Sequence, residues 1–197
     1  ARTAFITNAG FRDLLLIGRQ ARPSLYDIRV TRTPPLVARE HCLTVRGRLD
    51  AAGCEVEPLA MDDLEAAARA IESAGLEAVA ICFLHSYANP VHERLARDFL
   101  EQRLKGVVVC ASTDTMAEFR EYERASTCVL NAFLMPVMDR YLGSLTALLR
   151  DADDGLGVAH VDAKQMHLTG PVAYPFAFVP RCRLAPCVRA LATVDRR

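Results

Sequence analysis

The ionisable groups of this chain are densest in one run, Glu118-Phe119-Arg120-Glu121-Tyr122-Glu123-Arg124-Ala125-Ser126-Thr127. The carboxylates of Glu118, Glu121 and Glu123 suit general-base work or metal coordination. Arg124 beside them suits a clamp on developing negative charge. The plain alternative is a solvated helix start laced by ion pairs, Arg120 with Glu123 and Glu121 with Arg124. Helical spacing prevents Glu121 and Tyr122 from both facing the side that Glu123 occupies, so at most part of the run can face a cleft. A second cluster lies in the Arg- and Pro-rich stretch from Arg19 to Pro35. Arg19 and Arg22 there can hold a carboxylate or phosphate in two-pronged fashion, or simply pair with Asp13 or Asp27. His85 and His92 have the pKa range of a base near neutral pH. Three residues past Asn89, His92 also reads as a polar first-turn residue. Ser86 and Tyr87 follow an apolar run directly, a position that favours a site and equally suits ordinary turn chemistry. With no G-x-S-x-G elbow, a serine hydrolase has little support.

Short elements must position these groups. Thr3 to Thr7 reads as a strand, Asn8-Ala9-Gly10 as a turn and Phe11 to Ile17 as a short helix. Leu43–Arg48 and Cys54–Pro58 flank Asp50-Ala51-Ala52-Gly53, which predicts a hairpin. Asp62 is positioned to cap a helix whose apolar face is Leu64, Ala67, Ala68 and Ile71, and Gly75 ends it. Glu77 to Leu84 is a continuous apolar run of strand length. Asn89-Pro90 predicts a cap followed by proline at the first helical position, with the helix running to about Lys105. Val107 to Ala111 is the next strand, and a long helix spans Cys128 to Leu149, kinked or restarted at Pro136. The two apolar runs are therefore expected to be neighbouring parallel strands joined by a crossover helix, in an α/β fold with an added hairpin.

The 197 residues are 51% hydrophobic and 24% charged with zero formal net charge, which describes a globular protein with no global attraction for nucleic acid or an anionic membrane. No stretch has the length of a membrane span. Of seven cysteines, Cys82, Cys110 and Cys128 sit in apolar runs as small buried hydrophobes. Cys182, Cys187, His160 and His167 fit no common zinc spacing, so no metal site is expected and free thiols in a reducing cytosol are the simpler account. Composition changes after Gly155. Residues 156–197 carry six bases against two acids, Asp162 and Asp195, so this part is four units positive and the rest four units negative. It shows no clear period, and the division expected is a domain over 1–155 and a divergent or disordered tail over 156–197.

Four motifs together resemble one family. Gly10-Phe11-Arg12-Asp13 followed by Ile17-Gly18-Arg19-Gln20-Ala21-Arg22-Pro23-Ser24-Leu25-Tyr26-Asp27 is similar to G-F-R-D…I-G-R-Q-x-R-P-x-L-Y-D of the hydantoinase A / oxoprolinase family. Phe83 to Glu93 resembles its F-x-x-S-Y-x-N-P-x-H-E stretch. Glu118 to Thr127 resembles its E-F-R-E-Y-E-R-x-S-T stretch, and Asn131 to Pro136 its N-A-Y-L-x-P. The order is kept across residues 1 to about 150.

The resemblance implies a parent enzyme that hydrolyses cyclic amides such as hydantoin or oxoproline with ATP and Mg, beside a hydantoinase B-like partner subunit. Relatives in the family serve as subunits of acetone- or acetophenone-type carboxylases. It also implies an actin-like architecture, whose first phosphate loop would precede Ala1 and whose second would follow residue 155. The chain has no G-x-x-x-x-G-K-[ST] loop and no G-x-G-x-x-G, and it opens in mid-pattern without a Met. A fragment that binds ATP poorly by itself is therefore expected. The site residues implied are Glu118, Glu121 and Arg124 for catalysis, and Arg19, Arg22, Ser86 and Tyr122 for substrate. A non-catalytic α/β assembly module is the reading from a different class.

Overall fold

The computed structural model describes residues 1–20, 26, 29 and 34–152, with the short pairs 166–167 and 179–180. Its centre is a four-stranded sheet in the order β2-β1-β5-β6, built from β1 (Thr3–Asn8), β2 (Cys42–Val45), β5 (Ala78–Ile81) and β6 (Val108–Ala111). All three ladders are parallel: Phe5 lies opposite Cys42, Phe5 opposite Ala80, and Ala80 opposite Cys110. The expected crossover is present, with helix α3 (Val91–Arg103) joining β5 to β6, and a single turn, α4 (Ser112–Thr115), follows β6.

Both faces of the sheet are covered, which explains why β5 and β6 read as unbroken apolar runs. Alternate residues divide between two cores. Ala4, Ile6, Val79, Ile81 and Phe83 pack with Leu64, Ala68 and Ile71 of α2 (Met61–Ala74) and Ala96 and Leu100 of α3. Phe5, Ala78, Ala80, Cys82 and Cys110 pack on the opposite face with Ala125, Cys128, Ala132 and Met135 of α5 (Glu121–Ala152). Small residues line both sides of that second contact, so the helix lies close to the sheet. The Cys128 thiol reaches the carbonyls of Ile81 at 3.6 Å and Cys110 at 3.4 Å.

Several local expectations need correction. Leu43–Val45 is not a hairpin arm; it belongs to the edge strand of the main sheet. The hairpin is shorter, β3 (Arg48–Leu49) against β4 (Glu55–Glu57). Gly47 at φ +144° separates β2 from β3, and a Cβ there would stand 3.0 Å from the Leu59 Cα. Asp62 does not cap α2, which opens after Ala60 with no side-chain cap. Its neighbour Asp63 instead accepts the backbone N–H and the guanidinium of Arg46. Helix α1 is only Leu14–Ile17. Pro90 precedes the first turn of α3 rather than entering it, while Asn89 Oδ1 still accepts the Val91 N–H at 3.1 Å. Helix α5 begins at Glu121 rather than Cys128, and it continues through Pro136 instead of restarting there. Packing of Ala132 and Met135 against the sheet offsets the one backbone hydrogen bond that proline removes. The boundary after residue 155 and the Cys182, Cys187 and His160 group lie outside the described residues. Met166–His167 pairs antiparallel with Val179–Pro180.

Candidate functional site

The chain leaves neighbouring strands β1 and β5 toward opposite faces. After β1 it passes through α1, whose Leu14 and Leu15 pack with the α5 layer. After β5 it passes into α3, on the other layer. In an open parallel sheet, a crevice forms at the carboxyl ends of two such strands, and this is where α/β proteins bind ligands. Here it is flanked by Ala9–Arg12 and by the segment Cys82–Tyr87.

That second segment is fixed by buried polar side chains. Glu93, fully buried on the first turn of α3, accepts the Phe83 N–H at 2.8 Å, the Ser112 hydroxyl at 2.7 Å and the Thr113 N–H at 2.9 Å. One carboxylate thus ties together the carboxyl ends of β5 and β6. Asn8, at the end of β1, accepts the Leu84 N–H at 2.7 Å and donates to the Gly47 carbonyl at 2.6 Å. Arg124 reaches in from α5 and is only 1% exposed. Its Nη2 donates to the Phe83 carbonyl at 2.5 Å and its Nη1 to the Glu118 carbonyl at 2.8 Å. Its guanidinium carbon stands 5.6 Å from the centre of the Tyr87 ring, within cation–π range. Ser86 Oγ also donates to the Phe83 carbonyl, at 2.9 Å.

The acidic-aromatic run is therefore divided in function. Neither of the ion pairs expected within it forms. Arg124 serves the β5 segment, and Glu123 accepts Arg19 from across the fold at 2.7 Å. Glu118 has an exposed side chain and contributes its carbonyl, while Glu121 is half-buried at the start of α5. Tyr122 lies against Gly18, where a Cβ would meet its ring at 3.5 Å. It lines a cleft of about 490 Å³ with Leu15, Pro35, Leu36, Ser126 and Val129. The expected residues thus fall into two groups: Arg124, Ser86 and the Glu118 carbonyl at the β5 end, and Arg19 and Tyr122 beside the cleft. Arg22 lies outside the described residues.

Sequence reasoning overlooked Glu93 and Asn8. Glu93, Ala96 and Leu100 share one helix face, so a carboxylate stands on an apolar stripe, and that spacing was available to find it. Asn8 follows five strand residues and closes β1 at its carboxyl end. His92 is buried and meets Glu55 of the hairpin at 3.2 Å, a tie between α3 and β4. Burial pushes the Cys82 thiol up to about 11 and the Cys110 thiol up to about 12, and it raises Cys128 well above the usual thiol range. These are inert packing groups rather than nucleophiles. Among the described residues no cluster of His, Cys, Asp and Glu suits a metal ion, and no helix is long and apolar enough to cross a membrane.

The architecture defines a three-layer α/β protein with a buried polar lattice at the carboxyl edge of its parallel sheet. Residues 1–104 match the model of the hydantoinase/oxoprolinase N-terminal region, and the chain belongs to that family. An uncharacterized protein of Methanocaldococcus jannaschii is 40% identical over 150 residues, covering 76% of this chain and 22% of that protein. The acetophenone carboxylase gamma subunit of Aromatoleum aromaticum is 32% identical, with the same 76% and 22% coverage. The crystal structure of ATP-dependent caprolactamase from Pseudomonas jessenii superimposes with a TM-score of 0.71 at 33% identity, over 76% of this chain and 22% of that one. The chain thus spans about a fifth of the length of these relatives.

Proposed function

We propose that this chain is part of an ATP-dependent enzyme that opens a cyclic amide, of the hydantoin, oxoproline or lactam type, and that the crevice between β1 and β5 forms one wall of its substrate site. The observation that carries this reading is the buried polar lattice of Glu93, Asn8 and Arg124. It immobilises a strand-end segment where a solvated turn would otherwise suffice, and such rigidity is what a site that orients a ring requires. The likeness to a caprolactamase supports the amide as substrate class.

Opening an amide needs activation of its oxygen, orientation of the attacking water and a hold on developing charge. ATP, when bound, supplies the activation. The described residues do not fit a nucleotide: they include no phosphate-cradling glycine loop and no acidic cluster for Mg. We therefore assign the nucleotide and its metal to other parts of the enzyme. This region supplies shape and polar contacts. Arg124 and Ser86 act by fixing the Phe83 carbonyl, and Glu118 and Glu121 lie beside that anchor. Arg19 and Tyr122 are assigned to substrate binding beside the cleft, and Arg22, outside the described residues, to substrate binding as the family resemblance implies.

A second reading, a ketone carboxylase subunit, is favoured by the likeness to the acetophenone carboxylase gamma subunit. Both readings include a partner subunit, for which the exposed Phe119, Leu130, Val137 and Tyr141 leave apolar surface. A non-catalytic assembly role would use the same surface. The five described cysteines are all free, which supports a reducing cytoplasm. The test is phosphate release by the full-length protein with ATP and a panel of hydantoin, 5-oxoproline and caprolactam, and separately acetone or acetophenone with bicarbonate. Release that needs a cyclic amide and no bicarbonate supports the first reading. Release that needs ketone and bicarbonate overturns it for the second, and release with neither favours the assembly role.

A further inference from the structure

His85 stands in the segment that follows β5, at the carboxyl edge of the sheet, in a conformation that its own backbone disfavours. Its φ is +56°, and only Gln20 among the other non-glycine described residues also has positive φ. A side chain there costs stability relative to glycine. The flanking backbone is held by Glu93 at the Phe83 N–H, by Arg124 and Ser86 at the Phe83 carbonyl, and by Asn8 at the Leu84 N–H. Those contacts fix the segment without using the imidazole. The ring, half-buried, has one polar partner: Nδ1 lies 3.4 Å from the Tyr87 hydroxyl, with the two rings edge to face at 5.9 Å. Tyr87 is itself held beneath Arg124. No hydrogen bond engages Nε2 among the described residues. The protein therefore holds an imidazole in a strained pose, orients it from one side and leaves its other nitrogen open at a ligand-binding position of the fold.

We propose that His85 is a substrate-contacting residue whose Nε2 hydrogen-bonds the carbonyl or N–H of a cyclic amide, and that Tyr87 is the positioning residue that sets its ring. This rests on the functional reading above and names the group in this crevice that meets the substrate.

The experiment compares the full-length wild type with His85→Gly, His85→Asn and Tyr87→Phe. Melting temperature and the kinetics of ATP-dependent hydrolysis of 5-oxoproline, hydantoin and caprolactam are measured on each. Glycine removes the strain, so His85→Gly is expected to raise Tm by roughly 2 °C. Asparagine tolerates the same backbone and should leave Tm near the wild type. Both should lower kcat/KM by about a hundredfold. Tyr87→Phe should lower it about tenfold, mainly in kcat and with KM nearly constant, a split that a packing role would not produce. Two results overturn the proposal: His85→Gly lowering Tm, which would make the imidazole structural, or His85→Asn keeping activity within about twofold of the wild type. A wild type inactive on all three amides counts against the functional reading, and the Tm of His85→Gly still decides whether the imidazole is kept at a cost to stability.

Discussion

Arg124→Met removes the guanidinium that joins α5 to the end of β5. The arginine is buried and makes charge-assisted hydrogen bonds to the carbonyls of Phe83 and Glu118. Two such bonds contribute about 3–6 kcal/mol in net terms, at about 1.5–3 each. Three effects offset part of this. Ser86 still donates to the Phe83 carbonyl, methionine fills the volume of the arginine stem, and a buried cation no longer has to be desolvated. A net loss of about 2–4 kcal/mol remains, which in a chain of this size lowers Tm by roughly 5–12 °C. Arg19→Met is the control. Its ion pair to Glu123 is also short, but the Arg19 side chain is 61% exposed, so its loss should move Tm by no more than about 2 °C. Thermal melts followed by near-ultraviolet circular dichroism at pH 7 make the comparison, and hydrogen exchange at Leu84–Tyr87 localises it. An Arg124→Met variant that melts within about 2 °C of the wild type, or no lower than Arg19→Met, would refute the claim that this side chain holds the segment.

Four further outcomes are expected. Ala80→Leu drives three extra carbons into the close contact between β5 and α5 and should cost about 1–3 kcal/mol in urea denaturation, whereas loose packing would show little change. Thr113→Val should leave stability unchanged or raise it, because Thr113 Oγ1 is buried without a partner among the described residues; a clear loss would mean that the hydroxyl has one. The hydrogen bonds from the Arg46 side chain, and then from its backbone N–H, hold the Asp63 carboxyl down to about 2, against 3.8 for the free group. That contribution is present above about pH 4 and is lost as pH falls toward 2, so the stability gap between wild type and Asp63→Asn should close over that window. The gap is small and smaller in 1 M NaCl because the pair is exposed; a gap constant from pH 7 to 2 would contradict this. Among the five described cysteines, exposed Cys54 should react first with a thiol reagent at pH 8, with buried Cys42, Cys82, Cys110 and Cys128 following only on unfolding; peptide mapping shows the order.

Strands β5 and β6 were legible because burial on both faces leaves only apolar residues in them, and a glycine stands just before each. The pairing of β5 with β6 across α3 follows from that pattern. Strand β2 was not legible. Cys42–Val45 is short, and nothing local distinguishes an edge strand from a hairpin arm; its partner β1 lies more than thirty residues earlier. At the site, local sequence drew attention to the charged run but not to how its charges are spent. Helical spacing offers Arg124 to Glu121, yet the buried carbonyl of Phe83 lies 41 positions away and takes it. A charge-assisted hydrogen bond to a buried strand-end carbonyl outweighs an exposed ion pair. Glu93 was detectable as a carboxylate on an apolar stripe. The strain at His85 was not, because backbone φ at one residue depends on the tertiary contacts that pin both of its neighbours.

The most direct test is a crystal structure of the full-length protein with a cyclic amide and a non-hydrolysable ATP analogue. The ring is expected in the crevice between β1 and β5, with His85 Nε2 within about 3.2 Å of an amide oxygen or nitrogen. A ring bound far from the Ala9–Arg12 and Cys82–Tyr87 segments, with His85 facing solvent, would contradict the account.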